Sequence, residues 1–154
     1  MSLGQTDDHA AFMRLAIAEA ARAQERGEVP VGAIVVMDGT VVSRGFNQPN
    51  STHDPTAHAE IVAMRAAAAA LGNYRLTGAT LYVTIEPCLM CVGAMIHARI
   101  ALVVYGAAEP RAGALTSALR AHETPGLNHR LAVIGGVLED ACRGAMQEFF
   151  RERR

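Results

Sequence analysis

Two cysteines, Cys88 and Cys91, stand three residues apart directly behind Pro87 in the stretch TIEPCLMCVGAMIHARI. Only one other cysteine, Cys142, occurs in the chain. Three chemistries suit such a pair: a disulfide, two buried apolar side chains, or a metal. At i and i+3 in the first turn of a helix, both sulfurs share one face. Pro87 fits a helix start, where a missing N–H does no harm. The positive end of the helix dipole favours thiolate, the form that binds metal. On these residues alone a redox pair and two packed thiols stay open.

A second pair narrows the choice. His58 and Glu60, in TAHAEI, also open a helix, and only one helix and one strand separate them from Cys88. A helix–strand–helix unit of that length brings two helix N-termini together at one edge of a sheet. One neutral imidazole and two thiolates balance Zn2+ and leave its fourth position open. That is the pattern of a catalytic zinc, whereas structural sites close with four protein ligands. Two positions on a helix differ by about 200°, a poor arrangement for two ligands on one ion. Glu60 is therefore expected beside the ion and not on it, where a carboxylate can take a proton from a zinc-activated water and deliver it to a leaving group. The expectation is one Zn2+ per chain, held by His58, Cys88 and Cys91, with Glu60 catalytic. A closed structural zinc and a thiol redox protein are the alternatives, and the second leaves His58 and Glu60 without a role.

These side chains need elements to carry them. From Asp8 to Arg26 apolar residues recur with helical spacing and stop at Gly27. Two β-branched runs joined by Asp38-Gly39 predict a hairpin with a two-residue turn. A polar loop, NQPNSTHDP, leads into an alanine-rich helix ending at Gly72, with Asp54 placed to cap it and Pro55 in its first turn. ATLYVTI reads as a buried strand, PCLMCVGAMIHA as a helix and IALVVYG as another strand. After a punctuated stretch from Ala107 to Arg130, LAVIGGV is a short strand, and a last helix runs from about Leu138. Strand–helix–strand alternation with continuous apolar strands predicts an α/β layered sandwich, its sheet covered on both faces. With no linker or repeat, a single domain over residues 1–154 is expected.

Composition excludes several classes. A chain with 51% hydrophobic and 19% charged residues is globular rather than disordered. No run approaches the ~18 apolar residues that span a bilayer, so no membrane role is expected. No signal peptide is visible, and three cysteines make a poor disulfide framework, so a reducing, cytoplasmic location is expected. Net charge is −1, and every one of the 14 basic residues is arginine. Six arginines face nine acids before Arg99; from Arg99 onward eight face six. The ending FFRERR gathers Arg151, Arg153 and Arg154, an arginine tip able to hold phosphates.

Over nearly its whole length the chain resembles the bacterial tRNA-specific adenosine deaminase family. The resemblance rests on EVPVGAIVV, GFNQPNSTHDPTAHAEI, LYVTIEPCLMCVGAMIHARI, VVYGA, PGLNHR and EFFRERR. His-x-Glu followed by Pro-Cys-x-x-Cys is shared by many zinc-dependent nucleobase deaminases; MIHARI, PGLNHR and FFRERR favour the tRNA branch. The resemblance implies a three-layer α/β/α sandwich of the cytidine deaminase type, with a mixed sheet of about five strands. It implies hydrolytic conversion of adenosine to inosine at the first (wobble) anticodon position of a tRNA, through a zinc-bound hydroxide with Glu60 shuttling protons. Asn47 would hydrogen-bond the flipped base, and Arg151, Arg153 and Arg154 could hold flanking phosphates of the anticodon stem-loop. A homodimer is implied too, and no DNA partner. The chain departs from the family where an arginine, an aspartate and a lysine are common, carrying Ala108, Glu109 and Arg111 instead. Two alternatives follow: the same zinc chemistry on a free base such as guanine or cytosine, and a catalytically silent zinc-containing RNA-binding scaffold.

Overall fold

A computed structural model describes residues 3–153, with side chains from residue 8 onward. Strands β1 (Gly32–Met37) and β2 (Thr40–Phe46) pair antiparallel through the Asp38-Gly39 turn. Both turn residues have positive φ, 51° and 75°. That turn matches the twist of the flanking strands, and Asp-Gly is a sequence that tolerates it. β3 (Thr80–Ile85) lies antiparallel on the other edge of β1, followed in parallel by β4 (Leu102–Ala107) and β5 (Ala132–Ile134). The order across this mixed sheet is β2-β1-β3-β4-β5.

The described residues also form α1 (Leu3–Glu25), the single turn α2 (Pro49–Thr52), α3 (Ala59–Leu71), α4 (Leu89–His97) and α5 (Glu139–Glu152). Alternate strand residues divide between two cores. Ile34, Val36, Tyr82 and Val104 pack with Met13 and Ala16 of α1 and Cys142 of α5. Ala33, Val35, Leu81, Val83 and Val103 pack with Ala63 and Ala67 of α3 and Val92 and Met95 of α4. Burial on both faces explains the unbroken apolar strands, and the predicted layered α/β sandwich is what forms. Gly45 of β2 seats α3 closely: a Cβ there would lie 2.6 Å from the Ala63 nitrogen and 2.7 Å from the Ala59 oxygen. The start of α3, which carries His58, is thereby pressed onto the sheet.

Several local expectations shift. α1 begins at Leu3, ahead of Asp8. Asp54 does not cap α3: its carboxylate accepts from the Thr56 amide (2.8 Å) and hydroxyl (2.7 Å), closing a turn before the helix, which starts at Ala59. Two local donors inside the loop outcompete the helix terminus for that oxygen. Pro87 precedes the cap residue of α4 instead of occupying its first turn. Leu138 is the cap of α5, at a φ of 52°. Between β4 and β5 the chain is irregular apart from a 3-10 turn at Ala121–Glu123. No described helix is long and apolar enough to cross a membrane.

Candidate active site

His58 caps α3, Cys88 caps α4, and Cys91 lies in the first turn of α4. Neither cap side chain bonds the helix it precedes, although a capping side chain at such a position is worth about 1 kcal/mol. The side chains converge on each other instead. His58 Nδ1 lies 3.5 Å from both Cys88 Sγ and Cys91 Sγ, and the three ligand atoms fall within 4.8 Å of one another. A tetrahedral ion with Zn–S near 2.3 Å and Zn–N near 2.0 Å separates N and S ligands by about 3.6 Å. The donor set fits zinc in type, charge and spacing. Among the described residues no fourth His, Cys, Asp or Glu joins the group, which is the three-ligand pattern expected from the spacing.

The two thiols are unequal. A hydrogen bond from Cys91, aided by His58, pulls the Cys88 thiol down to about 4. Cys91 is the donor of that bond and is fully buried, so its own thiol is pushed up. The Cys88 sulfur in turn raises His58. Cys142 lies apart in the core on the α1 and α5 side of the sheet, its thiol pushed up to about 11 by burial alone. It is a core side chain, in line with its alanine neighbours in sequence.

Glu60 sits one residue beyond the first residue of α3, only 4% exposed, and burial pushes its carboxyl up to about 7. It lines a cavity of about 190 Å3 together with Asn47, His58, Cys88, Glu86 and Glu109, and with Val29, Val31, Ile85 and Met146 on its apolar sides. Cavities that enclose drug-sized ligands measure about 300–1,000 Å3. This one is of a size for a single ring system, its lining combining apolar side chains with Asn47 and Glu60. Asn47 follows β2, its amide donating to the Val31 carbonyl (3.0 Å), so the hairpin itself sets its position.

Ile85, Glu109 and Met146 also border a groove of about 800 Å3 between the chain after β4 and α5. Arg111, Arg143 and Arg151 line it, with the half-exposed Phe150. Of the tail arginines, Arg151 faces this groove. Arg153 instead lies 3.6 Å over the Phe149 ring and donates to the Gly27 carbonyl at 3.5 Å; Arg154 lies outside the described residues. The departures Ala108, Glu109 and Arg111 all border the groove.

Three residues escaped the sequence reading. Arg143 reaches the groove from α5, paired with Glu139 and Asp140. Glu28 and Glu86 are carboxylates only 1% and 3% exposed. Glu28 accepts from the Asn50 amide (3.3 Å), the Ser51 amide (2.7 Å) and the Ser51 hydroxyl, fastening the loop after Asn47. For the two glutamates the available signal was an acid abutting an apolar run, at the start of EVPVGAIVV and the end of LYVTIEP.

Comparison with known proteins places this geometry. Residues 6–107 match the cytidine and deoxycytidylate deaminase zinc-binding region. The chain is 47% identical over 143 residues to a tRNA-specific adenosine deaminase of Agrobacterium fabrum, covering 93% of this chain and 94% of that one. It is 43% identical to the Bacillus subtilis protein of the same name, covering 93% and 89%. A solved structure from work on A-to-I editing by tRNA:A34 deaminases at the wobble position of transfer RNA superimposes with a TM-score of 0.86 and 46% identity, covering 88% of this chain and 98% of that one. A guanine deaminase from Bacillus subtilis superimposes with a TM-score of 0.61 and 40% identity, covering 64% and 63%.

Proposed function

The chain belongs to the tRNA-specific adenosine deaminase family, within the zinc-binding cytidine and deoxycytidylate deaminases, and from that premise we propose that it converts adenosine to inosine at the wobble position of a tRNA anticodon. The observation that carries the proposal is the meeting of Glu60 with a three-donor metal set in a cavity sized for one base. Zinc held by His58, Cys88 and Cys91 supplies the Lewis acidity that makes water nucleophilic near neutral pH. Glu60 takes a proton from the attacking water and places it on N1 of the ring. It then takes the remaining proton from the oxygen now bound to C6 and carries it to the exocyclic nitrogen, whose bond to C6 breaks. Adenosine and water thus give inosine and ammonia. Burial suits Glu60 to this work, because a carboxyl raised toward neutrality both accepts and releases a proton readily.

The cavity has no room for a stacked neighbour, so the base must enter splayed from a loop, as bases read in RNA generally do. Asn47 hydrogen-bonds the base edge. Arg111 and Arg151 hold phosphates on either side along the groove. Arg153 is committed to Phe149 and Gly27.

The anticodon stem-loop is the substrate form this groove suits, and a second copy of the chain completes the assembly. Between α3 and α4 an apolar hollow of about 440 Å3 is lined by Met64, Tyr74, Met90 and Ala94. Tyr74 of its lining is 65% exposed, and Leu89, the sequence neighbour of Met90, is 58% exposed. A contiguous exposed apolar surface of this kind marks a protein interface, and Leu89 and Met90 directly follow the ligand Cys88, so a partner seated there borders the site. A tRNA substrate supports a cytoplasmic location.

One observation favours a second reading. Ala108 and Glu109 depart from the family pattern where they line the groove, which favours deamination of a free base such as guanine or cytosine by the same groups. Ammonia release from an anticodon stem-loop with adenosine at its first position, measured beside a panel of free bases, separates the two. Turnover of the RNA, with sedimentation as a dimer, is expected. Turnover of guanine alone rejects the tRNA reading, and a monomer in the active preparation rejects the second copy.

A further inference from the structure

Glu86 follows the last residue of β3, lines the cavity and directly precedes Pro87 and the ligand Cys88. Its carboxylate is buried, yet it is not a metal donor. It accepts instead from the chain beyond β4. Glu86 Oε1 takes the Glu109 amide (3.1 Å) and the Ser117 hydroxyl. Glu86 Oε2 takes the amides of Leu115 (3.1 Å), Thr116 (2.7 Å) and Ser117 (3.0 Å). Three successive amides aimed at one oxygen form an anion nest, here filled by the protein's own side chain.

Two backbone bonds reinforce the tether. The Glu86 amide donates to the Ala107 carbonyl (2.8 Å), and the Ala114 amide donates to the Pro87 carbonyl (2.8 Å). Gly113 passes so close that a Cβ there would strike the Glu86 carboxylate itself. The carboxylate therefore occupies the centre of a loop with almost no regular structure of its own. That loop carries Glu109 and Ala112 on the cavity wall and Arg111 on the groove. A long irregular segment needs an internal anchor to hold one conformation, and charge-assisted bonds are the strong ones.

We propose that Glu86 is a positioning residue for the deamination, locking the Glu109–Ala112 wall in register with the metal-bearing start of α4. The proposal rests on the deaminase reading above. It differs from a purely structural role, because the same two-residue step, Glu86-Pro87, sets both the base-facing wall and the cap residue Cys88. Misplacing a reactive group by about 1 Å can cost about a hundredfold in rate.

The test is Glu86→Gln, which keeps the shape and one acceptor but turns an N–H2 toward the converging amides. Full-length protein is assayed well below its unfolding midpoint, with zinc content and amide hydrogen exchange measured in parallel. Expected are a fall in kcat/KM on the anticodon stem-loop of about 10- to 100-fold, zinc still near one per chain, and lost protection at Leu115–Ser117 with β3 and β4 still protected. Wild-type kinetics despite a freely exchanging loop overturns the proposal. Loss of zinc overturns it too, by assigning Glu86 to the metal segment alone. Should Glu86→Gln fail to fold, Ser117→Ala, which removes a single donor, is judged by the same three readouts with a fall of about threefold or more expected. If the wild type deaminates guanine and not the RNA, the function proposed above has failed, and the same variants assayed on guanine still decide the role of Glu86.

Discussion

On the metal side of the pocket, His58 and Cys88 cap α3 and α4 and Cys91 lies in the first turn of α4, helices whose apolar faces pack onto the sheet. On the side facing the groove, Glu109, Arg111 and Ala112 belong to an irregular stretch wrapped around a buried carboxylate. Helix starts packed on a sheet hold donor atoms to within fractions of an ångström, which a metal site and a proton shuttle require. A loop folded around a single anchor holds its backbone but leaves its outward side chains free to vary. The departures Ala108, Glu109 and Arg111 fall on that second side, while the three metal donors and Glu60 fall on the first. On the proposed function, chemistry is thus carried by helix starts and contacts to the substrate by an irregular segment of the same pocket.

The largest effect that sharpens this contrast belongs to Glu60. Glu60→Ala is expected to lower turnover by about 10^2- to 10^4-fold, the usual contribution of a positioned acid–base group, with zinc near one per chain by atomic absorption. A variant that sheds its metal would make Glu60 a ligand and erase the distinction between holding the ion and moving the proton.

A smaller effect belongs to the groove. Arg151→Ala should leave kcat on saturating RNA near wild type while weakening binding. It should also flatten the dependence of log K on log salt by about 0.7–0.9, the value of one phosphate contact. Arg153→Ala serves as its control, because that guanidinium is stacked on Phe149; its salt slope should match wild type. Equal slopes for all three proteins would remove Arg151 from the RNA path.

The smallest effect concerns the loop after Asn47. Burial by itself would raise the Glu28 carboxyl, but the Ser51 hydroxyl and the amides of Ser51 and Asn50 outweigh it and hold it below 4.5. A carboxylate depressed in the folded state adds stability above its unfolded value, and that stability is lost as pH falls through the folded value. Wild type should therefore lose more of its thermal midpoint between about pH 5 and about pH 3 than Glu28→Gln does. Parallel pH curves for the two proteins would show that Glu28 carries no such linkage.

The three metal donors, the carboxyl of Glu60 beside them and the order of strands and helices were legible beforehand. His58 with Glu60, and Cys88 with Cys91, each lie within one helical turn, so their relation is local. The Asp38-Gly39 hairpin was legible for the same reason, since two residues with positive φ define it. Local chemistry misled at Asp54, where a turn with Thr56 and a helix cap are both plausible uses of one carboxylate and only the folded loop selects. The tail arginines looked alike in FFRERR, yet rotation about α5 sends Arg151 into the groove and Arg153 onto Phe149.

By itself the amino-acid sequence determined the donor set, the carboxylate beside it and the layered α/β class, because residue type, helical spacing and period-two burial act over a few neighbouring positions. Tertiary structure alone decided that Glu28 and Glu86 are anchors, that Arg143 joins the groove and that a ring-sized cavity lies between Asn47 and Met146. Each of these depends on contacts between segments tens of residues apart. A carboxylate acquires its meaning there only when folding has removed its water and supplied other donors in its place.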